Sequence, residues 1–170
     1  MLEWLFPRPR RRKHGALRMF RTRLGQLIDQ EQVYTTDELA GAAIWALPNR
    51  WHVTTRETLE LARLVLGPRL PILFAGLQRV DTAHPRRPPH FYLAVLGIDP
   101  PHQGRGIGSA LMEPVLELCD REGVPAYLES SKQRNVDFYA RHGFRVIREL
   151  QLPKGPPMWP MWRQPLLSGE

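Results

Sequence analysis

The sequence predicts an α/β fold with a mixed, largely antiparallel sheet flanked by helices, and three observations carry that prediction. His90 to Ile98 (HFYLAVLGI) is a near-continuous apolar run, the mark of a strand covered on both faces. A glycine-rich turn, Gln103-Gly-Arg-Gly-Ile-Gly108, then opens a helical run, and Pro125 to Ser130 follows as a short strand, so strand, helix and strand form a parallel crossover. Phe144 to Leu150 and Met158 to Arg163 flank the loop Leu152 to Pro157 and read as an antiparallel pair.

Local patterns specify the remaining elements. Ala16, Leu17, Phe20, Leu24, Leu27 and Ile28 recur at three and four, which predicts an amphipathic helix with its arginines outward, stopping before Gln32. Gln32 to Thr36 and Leu39 to Leu47 predict a hairpin closed by Pro48. Thr54 with Glu57 three residues later has the form of a capping box, with Leu59, Ala62 and Val65 on one face and Gly67-Pro68 as the stop. Leu73, Phe74, Leu77 and Val80 suggest a short helix before the Pro85 to Pro89 linker. In the helix after the glycine turn, Ile107, Ala110, Leu111, Val115, Leu118 and Cys119 face inward, and Pro114 removes one internal hydrogen bond. Gly123 ends it, and a helix from about Asn135 to His142 is stopped by Gly143.

A chain of 170 residues suits one domain, residues 1–170, large enough to bury roughly two thirds of its unfolded surface. Its single cysteine, Cys119, excludes an internal disulfide framework and fits a cytoplasmic location. Net charge is +7, but Met1 to Arg23 holds eight Arg or Lys against Glu3 alone, and the other 147 residues hold sixteen of each sign. The excess is local to the start, which argues against a specific nucleic-acid partner. The start reads as a solvated or locally paired basic face, with attraction to an acidic partner as the alternative. It lacks the apolar stretch of a signal peptide, and no run reaches membrane-spanning length.

The glycine turn carries the chemistry. A helix start exposes unpaired N–H groups and about half a positive charge, so an anion is stabilised there wherever no Cβ blocks it. Gly104, Gly106 and Gly108 clear the approach and Arg105 adds a cation, which makes phosphate the natural guest. A tight turn that needs glycine only for positive φ is the plain alternative. A P-loop is excluded, because Ser109-Ala110 follows the last glycine in place of Lys and a hydroxyl residue. A dinucleotide-binding oxidoreductase is the serious rival: Gly104-x-Gly106-x-x-Ser109 approaches its fingerprint, and Glu129 stands where a ribose-binding acid belongs. Against it, the last 40 residues read as a small helix and a hairpin rather than further βα units.

Gln103-x-x-Gly106-x-Gly108, followed by Asn135, Tyr139 and Gly143-Phe144, resembles the GCN5-related N-acetyltransferases. His90-Phe-Tyr-Leu93, Val124-Pro-Ala-Tyr-Leu-Glu129 and Asn135-Val-x-Phe-Tyr139 are similar to the puromycin N-acetyltransferase-like branch, and the strong part covers His90 to Arg163. The resemblance implies transfer of an acetyl group from acetyl-CoA to a primary amine of a small molecule by direct attack, with no metal. It implies that Gln103, Gly104, Arg105, Gly106, Ile107, Gly108 and Ser109 hold the pyrophosphate, that the pantetheine arm lies along Leu96, Gly97 and Ile98, and that Tyr139 is the general acid. Asn135 either caps its helix or also contacts the cofactor. Relatives open with a strand and a complete first helix, whereas Met1-Leu-Glu-Trp4 falls in mid-helix. Either the first strand is absent, which exposes the hairpin edge and so threatens stability or invites a homodimer, or the start is trimmed or misassigned.

The position where some relatives carry a catalytic glutamate holds Tyr92, counted back from Ile98 through Leu96 and Ala94 on one strand face. Glu129, and His90 through a water chain, stand as candidate bases beside structural roles for both. Trp45, Trp51, Tyr92 and Trp159 are expected as flat walls of the acceptor pocket. A cofactor-binding sensor without turnover is the second functional alternative.

Overall fold

A computed structural model describes residues 1–65 and 69–166, so the expected Gly67-Pro68 helix stop lies outside the described residues. Helices α1 (Leu2–Leu5) and α2 (Pro9–Leu27) lead into a hairpin of β1 (Val33–Thr35) and β2 (Gly41–Ala46). Next come α3 (Thr55–Leu64), α4 (Leu70–Ala83), β3 (Phe91–Ile98), α5 (Ile107–Glu122), β4 (Ala126–Ser130) and α6 (Val136–Ala140). Short strands β5 (Arg145–Val146) and β6 (Leu150–Gln151) precede β7 (Pro157–Arg163). The strands form one sheet in the order β1-β2-β3-β4-β7-β5, with β6 paired to β7; among the described residues only β3 and β4 run parallel. A doubly wound nucleotide fold needs several parallel βα units, so this topology removes the oxidoreductase reading. No helix among the described residues is long and apolar enough to cross a membrane.

The sheet buries both faces. On one, α5 and α6 cover Ala43, Trp45, Phe91, Leu93 and Leu128 with Leu111, Met112, Val115, Cys119 and Tyr139. On the other, Leu24 and Leu27 of α2 and Trp51 pack against Ile44, Ala46 and Tyr92. A third cluster joins Trp4, Leu5 and Phe6 to Leu73 of α4, Leu152 and Met158, and the Trp4 indole N–H donates to the Pro153 carbonyl at 3.1 Å.

Several elements depart from their sequence patterns for identifiable reasons. Helix α2 begins at Pro9, a first-turn position where the missing N–H costs nothing. Leu17 is more than half exposed, because α2 meets the sheet near its C-terminal end, and Ile28 is more than half exposed because it lies past the end of α2; further back, buried Gly15 makes room for the Phe6 ring. Thr54 and Glu57 form the expected capping box, but Leu59 faces solvent. In α5 the buried stripe is rotated, with Met112 and Leu116 inside and Ala110 exposed. Helix α4 runs to Ala83, beyond the short helix its apolar residues suggested. The basic start is partly paired, with Arg12 on Glu3, Arg18 on Glu60 and Arg23 on Glu57.

Two irregularities in β3 open the sheet. Ile44 pairs with Val95 and Trp45 with Leu93, so Ala94 is an extra residue, a β-bulge that breaks the alternation along the strand. In addition, β3 pairs with β4 only from Phe91 to Leu93, opposite Ala126 to Leu128; beyond them no pairing between the two strands is found among the described residues. The sheet therefore splits in a V whose arms are Ala94–Ile98 and Glu129–Ser130.

Candidate functional site

One cleft starts at the glycine turn. Gly104 and Gly106 hold φ of +77° and +81°, the left-handed region where an L side chain is strained, and Gly106 caps α5. A Cβ built on Gly97, Gly104 or Gly106 meets no other atom within 4 Å, so the bare backbone is turned to open space rather than to packing. The cleft encloses about 550 Å³ and is walled by Leu96, Gly97 and Ile98, by Gln103, Gly104, Gly106, Ile107, Gly108 and Ser109, and by Asn135 and Tyr139. Arg105 is exposed and is not part of its wall. The Gln103 amide donates to the Ile98 carbonyl at 3.0 Å and Ser109 Oγ lies 2.9 Å from His142 Nε2, so two polar side chains of the turn are tied back to the frame. Asn135 makes no cap bond with its side chain.

Sequence reasoning missed four cationic or titratable groups on this cleft: His102, Lys132, Arg134 and Arg141. Three of them lie between Lys132 and Arg141, a run read only for Asn135 and Tyr139. The charge of this run was a usable signal, because cations around an anion-seeking helix start reinforce it.

A second and larger groove, about 810 Å³, opens at the same split between β3 and β4. Its walls include Met19, Phe20, Leu61, Leu77 and Val80, the β3 segment Tyr92 to Leu96, and Glu129 to Lys132. Because of the bulge, consecutive β3 residues contribute to one wall, which the alternation expected from sequence does not allow. Trp45 and Trp51 are buried elsewhere and Trp159 packs against the main core, so of the four expected aromatic walls only Tyr92 lines this groove. The two cavities share Leu96, Lys132, Asn135 and Tyr139. Tyr139 thus stands at their junction.

Burial pushes the Tyr139 phenol up to about 12, so it keeps its proton through the neutral range. Glu129 lines the larger groove with a side chain only 4% exposed, and its Oε2 accepts a 2.7 Å hydrogen bond from the Tyr92 hydroxyl. Tyr92 is pushed well above the usual phenol range, first by burial and then by the Glu129 charge. His90 lines neither cavity. It is buried between Tyr127 and Trp162, with Nδ1 at 2.9 Å from the Pro88 carbonyl and Nε2 at 3.0 Å from His84 Nε2. His84, the residue that ends α4, was passed over in the sequence because a lone histidine before a proline-rich linker carries no motif.

Comparison with known proteins identifies the family. The family model described as "Acetyltransferase (GNAT) family" matches residues 3–144. An uncharacterized N-acetyltransferase of Schizosaccharomyces pombe is 29% identical over 135 residues, 72% of this chain and 54% of the relative. N-alpha-acetyltransferase 50 of Danio rerio is 30% identical over 103 residues, 58% of this chain and 60% of the relative. The chain thus spans less than two thirds of the length of these curated relatives. Among solved structures, Arabidopsis thaliana Naa50 in complex with the bisubstrate analogue CoA-Ac-MVNAL superposes with a TM-score of 0.52 at 18% identity, covering 82% of this chain and 78% of that one. With the family model spanning most of its length, the chain belongs to the acetyltransferase (GNAT) family.

Proposed function

We propose that this chain is an acetyl-CoA-dependent N-acetyltransferase that acts on the primary amine of a small, largely apolar molecule by direct attack. One observation carries the reading: a glycine-walled, cation-rimmed cleft and an apolar groove meet at Tyr139 in the opening between β3 and β4. The residues fit coenzyme A. Left-handed Gly104 and Gly106 leave α5 amides accessible, Gly97 leaves a strand edge uncovered, and Lys132, Arg134 and Arg141 supply positive charge. When bound, acetyl-CoA supplies an activated thioester carbonyl. This chain supplies the rest. Glu129 takes a proton from the acceptor ammonium, a main-chain N–H near Leu96 or Gly97 faces the developing oxyanion, and the Tyr139 hydroxyl delivers its proton to the departing sulfur. His90, away from both cavities, has its role through His84.

The preference for a small amine rests on the apolar groove wall and on the resemblance to the puromycin N-acetyltransferase-like branch. A protein N-terminus is the second reading, favoured by the 30% identity to N-alpha-acetyltransferase 50. Thiol release measured across a panel of apolar primary amines and short peptides separates the two. A chain that binds acetyl-CoA yet releases no thiol with any of them is a sensor, and the enzymatic reading is lost. Tyr139→Phe is expected to lower kcat on the order of tenfold or more with little change in acetyl-CoA affinity, because it removes a proton donor and keeps the ring. An unchanged rate removes Tyr139 from the mechanism.

A further inference from the structure

Glu129 sits at the end of a buried chain of polar contacts that begins at a main-chain carbonyl. The Pro88 carbonyl can only accept, so the His90 Nδ1 at 2.9 Å carries a hydrogen. His90 is held below the ordinary histidine range, chiefly by burial and also by the neighbouring His84, with the Pro88 bond and the Glu129 charge opposing. It therefore carries only that one hydrogen, and its Nε2 is a bare acceptor. His84 Nε2, 3.0 Å away, must be the donor. This leaves His84 Nδ1, which lies 3.4 Å from Glu129 Oε1. That oxygen is buried and receives no hydrogen bond. With no proton between them, a nitrogen lone pair faces a carboxylate oxygen and both buried acceptors go unsatisfied, which is costly. A proton taken up from outside the pair satisfies both.

The imidazole is held for this task. Trp51 stacks on it with ring centres 3.5 Å apart and planes 13° from parallel, while Tyr92 and Tyr127 meet it edge-on at 4.9 and 4.4 Å. The Arg23 guanidinium donates to the Trp51 carbonyl at 2.9 Å and so fixes the stacking residue. The titratable and charged groups around the pair are His90, Tyr92 and Tyr127, then Arg23 over Tyr92 with its partner Glu57, Arg86 and His52 on Trp51, and Arg148 on the Ala83 carbonyl. Burial raises both tyrosines, so they stay neutral and neither competes for the proton.

We infer that His84 and Glu129 form one proton-accepting unit, with His84 a positioning residue that shares the proton Glu129 removes from the acceptor amine. The inference rests on the reading of Glu129 as the base. In the step, an N–H bond of the acceptor ammonium breaks, its electron pair stays on nitrogen as the nucleophile, and the proton binds the carboxylate and is shared with His84 Nδ1. The proton leaves to solvent after product release. The unit starts as carboxylate and neutral imidazole and returns to that state, so charge and atoms balance.

Two measurements test it. Nitrogen-15 NMR of histidine-labelled protein without any ligand should show His90 as the Nδ1–H tautomer, and a His84 Nδ1 whose titration changes in Glu129→Gln. A His84 signal that titrates identically in both proteins overturns the shared proton. The pH profile of kcat/KM should show its acidic limb moved in His84→Phe, with the plateau lowered on the order of tenfold and acetyl-CoA affinity unchanged. His84→Asn can still donate to Glu129 but cannot take a proton, so it should keep the fold and still lose the plateau. A wild-type plateau and limb in His84→Asn would reduce the ring to packing and overturn the inference even if His84→Phe does not fold. Wild-type activity in Glu129→Gln would instead overturn the underlying reading of Glu129.

Discussion

Glu129→Gln is expected to lower kcat/KM by about 100-fold or more at neutral pH, the usual range for loss of a general base. The amide keeps the size of the side chain and still accepts from Tyr92, so the variant removes proton affinity with little change in shape. Acetyl-CoA affinity should hold, because Glu129 belongs to the wall of the acceptor groove and not to that of the glycine cleft. The sign of the pH dependence is a second readout. Without a base, only the free amine reacts, so log kcat/KM of the variant should rise with unit slope until the amine itself is deprotonated. That plateau lies near pH 8 for an α-amino group and about 10 for an alkylamine. Wild type should level off earlier. A loss below about threefold would mean that solvent removes the proton unaided, and Glu129 would then be a partner of Tyr92 and nothing more.

The parts of this site that could be read from sequence are those built by contiguous residues. The glycine turn is local: three glycines in five positions before a helical run specify a bare helix start wherever the chain places it. Tyr139 and Gly143-Phe144 are likewise local, because a short helix with a left-handed glycine stop fixes the spacing, and the Phe144 N–H returns to the Tyr139 carbonyl at 3.2 Å. What could not be read depends on register and on long-range packing. The bulge at Ala94 has no glycine or proline to announce it, yet it decides which β3 side chains line the groove. Trp51 has the composition of a pocket wall, but its ring is taken by His84, a partner 33 positions later in the chain. Trp45 is drawn into the core by its place on the central part of the sheet, between β1 and β3. The His90–His84–Glu129 chain joins the start of one strand, the end of a helix and the end of another strand, and no spacing in the sequence encodes it.

A stability experiment addresses the corner that presents Tyr139. The Arg163 guanidinium on β7 binds Asp120 near the end of α5 with two bonds of 2.7 and 2.6 Å, and its Nε donates to the His142 carbonyl just beyond α6 at 3.0 Å. The pair is asymmetric, with side-chain exposures of 5% for Arg163 and 22% for Asp120. Asp120→Ala leaves a guanidinium buried without its counter-charge and should cost about 3–5 kcal/mol, which lowers Tm by roughly 6–20 °C in a chain of this size. Arg163→Met leaves a carboxylate that can turn to water and still accept from the Leu166 N–H, so its cost should be smaller, about 1–3 kcal/mol. For Asp120, burial would raise the carboxyl, but the Arg163 hydrogen bonds, the Leu166 N–H and the Arg163 charge outweigh it and hold the group below its ordinary value. A depressed folded-state value stabilises above the unfolded one, near 3.9, and is lost as pH falls through the folded one. The stability gap between wild type and Asp120→Ala, measured by denaturant melts, should thus stay level from neutral pH to about pH 4 and close below it. Equal losses for the two substitutions would show that burial of the guanidinium does not decide the balance, and that packing of the Arg163 stem against Gly143 holds the corner instead.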